Sequence, residues 1–294
     1  VYALAFVQGL AQAIDNPARQ AFVTEVVGPG HLANAVALNS ASFNAGRLIG
    51  PGAAGLIIAA YGTGAAMLVN SLSFLLLLFA LLTMRADDLQ PAPLARGRGR
   101  IREGLVYVRG RTDIKVILVL VFVLGTFGMN FQITTALMAT QAFGKGPTEF
   151  GILGSIMAIG SLSAALLSAR RARPRLRVLL VALAGFTLAT GLAAVAPTYE
   201  LFALALIPCG LAALTALTTA NTLVQLSVDP AMRGRVMALY TMALLGTTPV
   251  GSLVMGWTGE HVGPREAAVL GGTVTIGAAV TVLLRARRLL AALR

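Results

Sequence analysis

Charge is what this sequence has least of. Only 12% of its 294 residues are Asp, Glu, Lys or Arg, against roughly 25% in a soluble globular domain. Hydrophobic residues make up 57% and the mean hydropathy is +0.81. That leaves too little polar surface to cover a water-soluble body of this size, and far too much apolar surface for a disordered chain. Cysteine is almost missing. Cys209 stands alone, so no internal disulfide can form, and His31 and His261 are too few for most metal sites. There is no Gly-Lys-Ser/Thr phosphate loop and no Ser/His/Asp set with motif support. Direct use of ATP, enzymatic chemistry, a bound metal and a bound cofactor are therefore not expected. Strand-like alternation is not sustained anywhere, which sets a β-barrel aside.

What the sequence does have is long apolar runs. About 20 apolar residues cross a bilayer at about 1.5 Å per residue. Nine such segments are expected, over 1–27, 34–60, 64–84, 114–143, 148–169, 177–196, 200–226, 235–258 and 266–284. The expected fold class is an all-α integral membrane protein embedded in the lipid bilayer. Residues 85–113 interrupt the pattern with Pro91, Pro93, Gly97, Gly99 and, after Arg85, the arginines Arg96, Arg98, Arg100, Arg102, Arg109 and Arg111. They read as a polar linker with an amphipathic helix near 101–110. Three domains are expected: helices over 1–84, the basic linker 85–113, and a six-helix bundle over 114–294.

The net charge of +12 raises the question of nucleic acid. Position answers it. Of the 23 basic residues, 19 fall on one side of the alternating segments: Arg85, the linker arginines, Lys115, Arg170 to Arg177, Arg233, Arg235 and the group from Arg285 to Arg294. Lys145 and Arg265 fall on the other, and Arg19 and Arg47 lie within segments. Cytoplasmic loops are enriched in Lys and Arg. The excess is thus topological, with the linker and the C-terminus cytoplasmic, and no nucleic-acid partner is expected.

The chain also repeats itself. Shifted by 201 residues, Gly9-Leu10-Ala11 falls on Gly210-Leu211-Ala212, Pro29 on Pro230, and Gly50, Gly55 and Gly62 on Gly251, Gly256 and Gly263. The matched segments run in the same direction across the membrane, as in a parallel repeat. Six segments in the second half against three in the first lead to the expectation of a six-plus-six parent, of which this chain, starting at Val1, lacks the first three helices.

These residues resemble the major facilitator superfamily. The six-plus-six repeat with its basic central linker is one element of the resemblance. Another is Gly46-Arg-Leu-Ile-Gly50-Pro51-Gly52-Ala53-Ala54-Gly55, which looks like the antiporter motif of the fifth helix with Ala54 in place of one Gly. A third is Asp15-Asn-Pro-Ala-Arg19-Gln-Ala-Phe followed by Pro29, Asn34 and Arg47, similar to the exporter branch that includes the enterobactin exporter. The resemblance implies efflux by antiport. The basic string from Ala169 to Arg175 lacks the acidic residue of the family's loop motif.

Independent of that resemblance, Gly46, Gly50 and Gly55 leave gaps on a helix surface where a neighbouring backbone can come close, and Pro51 bends the helix. Asp15, Arg19 and Arg47 lie well inside segments. A charge at the bilayer centre costs at least about 2.5–3.5 kcal/mol on insertion scales, so such residues face a cavity or a partner. Asp15 reads as a proton-coupling or cation-contacting carboxylate, and Arg47 as an anion contact or a charge partner. The structural alternative is an ion-pair cluster, Asp15 and Arg19 standing four residues apart on one helix face. Polar neutral residues mark the expected cavity face: Asn39 and Asn44 beside Arg47, Asn130 and Gln132 in the fourth segment, Asn221 and Gln225 in the seventh. Hydrogen bonding between helices is the alternative for each.

The expected activity is proton-coupled efflux of a small amphipathic molecule, drug-like or a siderophore, by alternating access across the cytoplasmic (inner) membrane. An importer or facilitator on the same fold remains open. So does a non-transporting membrane interaction or sensor protein, or an inactive truncated fragment. The sequence sets no oligomeric state.

Overall fold

The structure is a computed structural model that describes residues 53–85, 101–169, 175–229 and 232–291, with isolated helical positions between 22 and 50. Among these residues every regular element is helical. Helix α1 runs over Ala53–Thr83. It is followed by α2 (Ile101–Gly110), α3 (Thr112–Val123), α4 (Phe131–Leu137), α5 (Pro147–Ala169), α6 (Leu176–Ala194), α7 (Tyr199–Ser227), α8 (Arg233–Leu245), α9 (Thr248–His261) and α10 (Pro264–Ala291). π-helical turns at Leu124–Gly128 and Met138–Ala142 flank α4.

Six helical stretches among the described residues are long and apolar enough to cross a membrane: Ala53–Thr83, Thr112–Ala142, Pro147–Ser168, Leu176–Ala194, Tyr199–Ser227 and Arg233–His261. The sequence reading separates 34–60 from 64–84 at Tyr61–Thr63. The structure instead carries α1 through these residues, with Gly62 at φ +81 between the two expected segments. Its repeat partner Gly263 also has a positive φ, +145. Both are conformations that glycine adopts without the penalty of a side chain.

The chain divides into two compact units, Val1–Gly46 with Thr63–Arg98, and Arg47–Gly62 with Gly99–Arg294. In the first, the part of α1 from Thr63 onward exposes Leu72, Leu75, Leu76 and Leu82. Ser71 and Thr83 return their hydroxyl protons to backbone carbonyls of the same helix. That is how a polar side chain is kept satisfied in an apolar solvent.

In the second unit α7 is central, packed against α5 and α6. Small residues permit this. A Cβ on Gly160 would collide with the carbonyl of Ile207, and one on Gly210 with that of Met157, so α5 and α7 meet backbone to backbone. Small residues replace the hydrophobic effect as the packing device where lipid is as apolar as the side chains. Two apolar clusters fill the interior. One gathers Ile114, Ile117, Leu120, Leu124, Leu183 and Phe186 with Val224 and Val236. The other gathers Met138, Leu153, Phe202 and Leu206, with Phe143 packed against it.

Helix α2 occupies the stretch where the amphipathic helix is expected, burying Gly104 and Val108. A Cβ on Gly104 would stand 3.3 Å from both Arg235 Cβ and Leu239 Cδ1, so α2 lies against α8. Arg235 pairs with Glu103 at 3.1 Å. Arg111 donates to both oxygens of Asp113 (3.0 and 2.8 Å), to Tyr107 Oη (3.2 Å) and to the Ser227 carbonyl (2.9 Å). Tyr107 in turn donates to Asp229 at 2.9 Å. The hydrogen bond to the Asp113 carboxylate holds the Arg111 proton more tightly than usual. One guanidinium fork thus ties α2, α3 and the end of α7 together.

Candidate functional site

Three helix faces enclose a cavity of ≈ 670 Å³ within the second unit. Ala54, Gly55 and Ile58 come from the start of α1, and Gly50 precedes them. Met129, Phe131, Gln132 and Thr135 come from α4 and the residues leading into it. Helix α5 contributes Pro147, Phe150, Gly151, Gly154, Met157, Ala158 and Ser161. The spacing of its small residues, Gly151, Gly154, Ala158 and Ser161, keeps them on one helix face. A face of small residues leaves volume for something else.

The two long helices touch at Gly55. A Cβ there would lie 2.7 Å from the Pro147 carbonyl oxygen, 3.3 Å from Thr148 Cα and 3.2 Å from Gly151 Cα. Gly46 and Gly50 differ: a Cβ on either meets nothing within 4 Å. Of the three glycines expected to permit close approach, Gly55 is the contact and Gly50 borders open space. Pro51 lies outside the described residues.

Gln132 reaches the cavity as an exposed side chain with no hydrogen-bond partner among the described residues. Asn130, two residues before it, is placed differently. It is 5% exposed and sits where the helix is interrupted. Its Nδ2 donates to the Thr126 carbonyl at 2.7 Å, and its Oδ1 accepts from Ser252 Oγ at 2.8 Å. Met129 (φ −92, ψ 16) and Asn130 (φ −92, ψ 32) have left helical geometry there. Neighbouring helices press onto this interruption through glycines. A Cβ on Gly251 would collide with the Thr126 carbonyl, one on Gly271 would lie 2.5 Å from the Phe127 carbonyl, and one on Gly125 would collide with Leu244.

The partner helix is interrupted as well. Helix α8 stops at Leu245 and α9 starts at Thr248. Pro249 accounts for this, since its ring would clash with the carbonyl four residues earlier in a continuous helix. Thr247 Oγ1 in this gap lies 2.6 Å from Thr126 Oγ1. The sequence reading found none of Thr126, Thr247 and Ser252, although Pro249 and the glycines around it were legible signals of a break.

Asn221 and Gln225 lie on α7, away from the cavity. Gln225 Nε2 donates to Asn221 Oδ1 at 2.5 Å, one helical turn apart. Asp15, Arg19, Asn39, Asn44 and Arg47 lie outside the described residues. His261 stacks on Trp257 with ring centroids 4.9 Å apart, and Cys209 is fully buried in α7. Among the described residues no group of three or more His, Cys, Asp or Glu is placed to hold a metal ion.

This arrangement places a cavity, lined among the described residues by apolar, small and neutral polar side chains, beside long apolar helices that are interrupted and packed through glycine. No curated protein matches the chain. A family model described as transmembrane secretion effector matches residues 1–291. The chain therefore belongs to the transmembrane secretion effector family of major facilitator membrane transporters.

Proposed function

We propose that the chain acts as a secondary active exporter, moving a small amphipathic molecule out of the cell in exchange for protons by alternating access. The observation that carries this reading is the ≈ 670 Å³ cavity walled by apolar side chains and glycines, a volume suited to a drug-sized molecule. Membership of a secretion-effector family favours outward movement. On this reading the chain crosses the cytoplasmic membrane nine times, with 1–84 and 114–294 as parts of two bundles joined by the linker 85–113. The basic bias of the sequence supports a cytoplasmic linker and C-terminus.

Proton coupling is assigned to Asp15. A carboxylate in a low-dielectric site changes charge at a cost that depends on its surroundings, so protonation biases one state over another. Arg19 and Arg47 are assigned as its charge partner and as a contact for anionic groups. Asn39, Asn44, Asn221 and Gln225 are assigned to the substrate path together with Gln132. The interrupted run around Asn130 is assigned to bending, since irregular backbone in membrane helices is tolerated where protein encloses it.

Inverted membrane vesicles from cells producing the full chain test the reading. Imposing a pH gradient, acid inside, should drive uptake of an apolar fluorescent compound, and collapsing the gradient should stop it. Uptake indifferent to the gradient would move the chain to a facilitator. No uptake above empty vesicles would remove the transport reading.

A further inference from the structure

Helix α2 is too short to cross a membrane. Its 10 residues span about 15 Å, half of a hydrocarbon core of about 30 Å. It lies at a membrane boundary all the same. Only Arg111 separates it from α3, the start of the apolar run Thr112–Ala142. Gly104 rests on Arg235 and Leu239 in the first turns of α8, and Tyr107 reaches Asp229 just past the end of α7 at 2.9 Å. The level at which α3 and α8 begin and α7 ends is therefore the level of α2.

These contacts also fix which way each side of α2 faces. Successive residues turn by about 100°, so four stripes run along the helix. Glu103 and Tyr107 form the first, tied to Arg235 and Asp229. Gly104 and Val108 form the second, buried against the bundle. Ile101 and Leu105 form the third, each 51% exposed. Arg102 and Arg109 form the fourth, both exposed, with Val106 beside them. Glu103, the one acid of the helix, stands on the flank away from these arginines. An exposed apolar stripe bordered by arginines is the make-up of a helix that rests in a membrane surface.

We propose that the flank of α2 carrying Ile101, Leu105, Arg102 and Arg109 lies in the headgroup layer of the bilayer and gathers anionic phospholipids there. Ile101 and Leu105 enter the acyl boundary. The two guanidinium groups stand on long apolar stems that lie along the same boundary while the charge stays at headgroup level. Each meets a lipid phosphate with a planar fork that matches two of its oxygens. The proposal needs only the membrane placement of the family and no direction of transport.

Trp257 is the single tryptophan of the chain, so Leu105→Trp in a Trp257→Phe background puts one emitter on the exposed stripe. The full chain is placed in nanodiscs of phosphatidylcholine with a minority of phosphatidylglycerol. Bromine, a short-range quencher, is carried on the acyl chains of either lipid at equal fraction. Emission from Leu105→Trp should be quenched by both. The brominated phosphatidylglycerol should be at least about fivefold more effective, the preference that one arginine near an anionic surface supplies. Arg102→Gln with Arg109→Gln should bring the two lipids level, and high salt should narrow the difference. The same arginine pair replaced in a chain that keeps Trp257 should leave the quenching of Trp257 unchanged, which shows the bundle intact. Ile101→Trp reads the same stripe where Leu105→Trp fails to fold. Emission untouched by either brominated lipid places the flank in water or against protein and overturns the proposal. Equal quenching with both arginines present, or a preference that survives their replacement, overturns the recognition of anionic headgroups.

Discussion

Thr126 and Thr247 share a hydrogen bond of 2.6 Å between their hydroxyl oxygens, and each sits where its own membrane-spanning run is interrupted. Four residues further along, Asn130 meets Ser252 at 2.8 Å. Two broken helices are therefore joined at their breaks, by side chains on both sides and by the glycine contacts of Gly125 and Gly251.

The Thr126–Thr247 bond is measurable by a double-mutant cycle. Thr126→Val and Thr247→Val should each lower stability in detergent, and the double variant should lose less than the sum. Hydrogen bonds between membrane helices couple by about 0.6 kcal/mol on average, with a ceiling near about 1.7 kcal/mol. Strict additivity in denaturant titrations would show that the two hydroxyls are neighbours without being partners.

Gly50 and Gly55 should respond oppositely to bulk. Gly55→Leu pushes against the Pro147 carbonyl 2.7 Å from the first added carbon, whereas Gly50→Leu enters open space. Overpacking costs about 1–3 kcal/mol. Melting of the purified variants should show that loss for Gly55→Leu and near parent stability for Gly50→Leu. Equal loss at both positions would contradict the placement of Gly50 beside the cavity.

Arg111→Lys should loosen α2 without unfolding the bundle. Lysine keeps the charge but cannot reach Asp113 and the Ser227 carbonyl with one planar group. Amide exchange over 101–110 should speed up several-fold, while exchange within α7 stays as in the parent. Unchanged exchange over 101–110 would mean that Gly104 and Val108 alone hold the helix in place.

If Asp15 carries the coupling proton, Asp15→Asn abolishes gradient-driven efflux while substrate still binds. If Asp15 is only the partner of Arg19, the same change leaves a buried arginine unpaired at a cost of about 3–5 kcal/mol. Expression then falls, and Asp15→Asn with Arg19→Gln restores it. Arg47→Lys keeps charge and loses the planar fork, so it should weaken anionic substrates alone. Normal efflux in both Asp15→Asn and Arg47→Lys removes these residues from the mechanism.

Much of the fold is readable from residue chemistry. The apolar runs and short polar spacers place α5, α6 and α7 close to their observed bounds, because in lipid a backbone must satisfy itself and a helix is the local way to do so. Gly62 and Gly263, matched in the repeat, both take positive φ, at +81 and +145. The interruption around Asn130 is harder to read. Leu124 to Gly128 contains nothing that forbids an α-helix, and the break depends on Gly251, Gly271 and Leu244, which are far away in sequence. The sequence puts Asn130 and Gln132 together on the expected cavity face. Asn130 precedes α4 outside helical geometry, whereas Gln132 lies in the first turn of the helix. The structure separates them accordingly, one into a seam between helices and the other into the cavity. The glycines of the motif near residue 50 show the same limit. A small residue announces that space is available, but not whether a neighbour takes it.

The buried and half-buried hydroxyls of this bundle bear on how it is made. Thr126, Thr187, Thr218, Thr258 and Thr275 each return a proton to a carbonyl four residues back in their own helix. A segment with such hydroxyls can leave the ribosome and enter the bilayer before its neighbours exist, with no polar group waiting. Asn130 is different. Its amide nitrogen is satisfied locally, but its oxygen depends on Ser252, which is synthesised 122 residues later. During biogenesis the Asn130 side-chain carbonyl stays unfulfilled until α9 arrives. The order of synthesis thereby becomes an order of completion, in which one of the last helices closes the first break of its bundle.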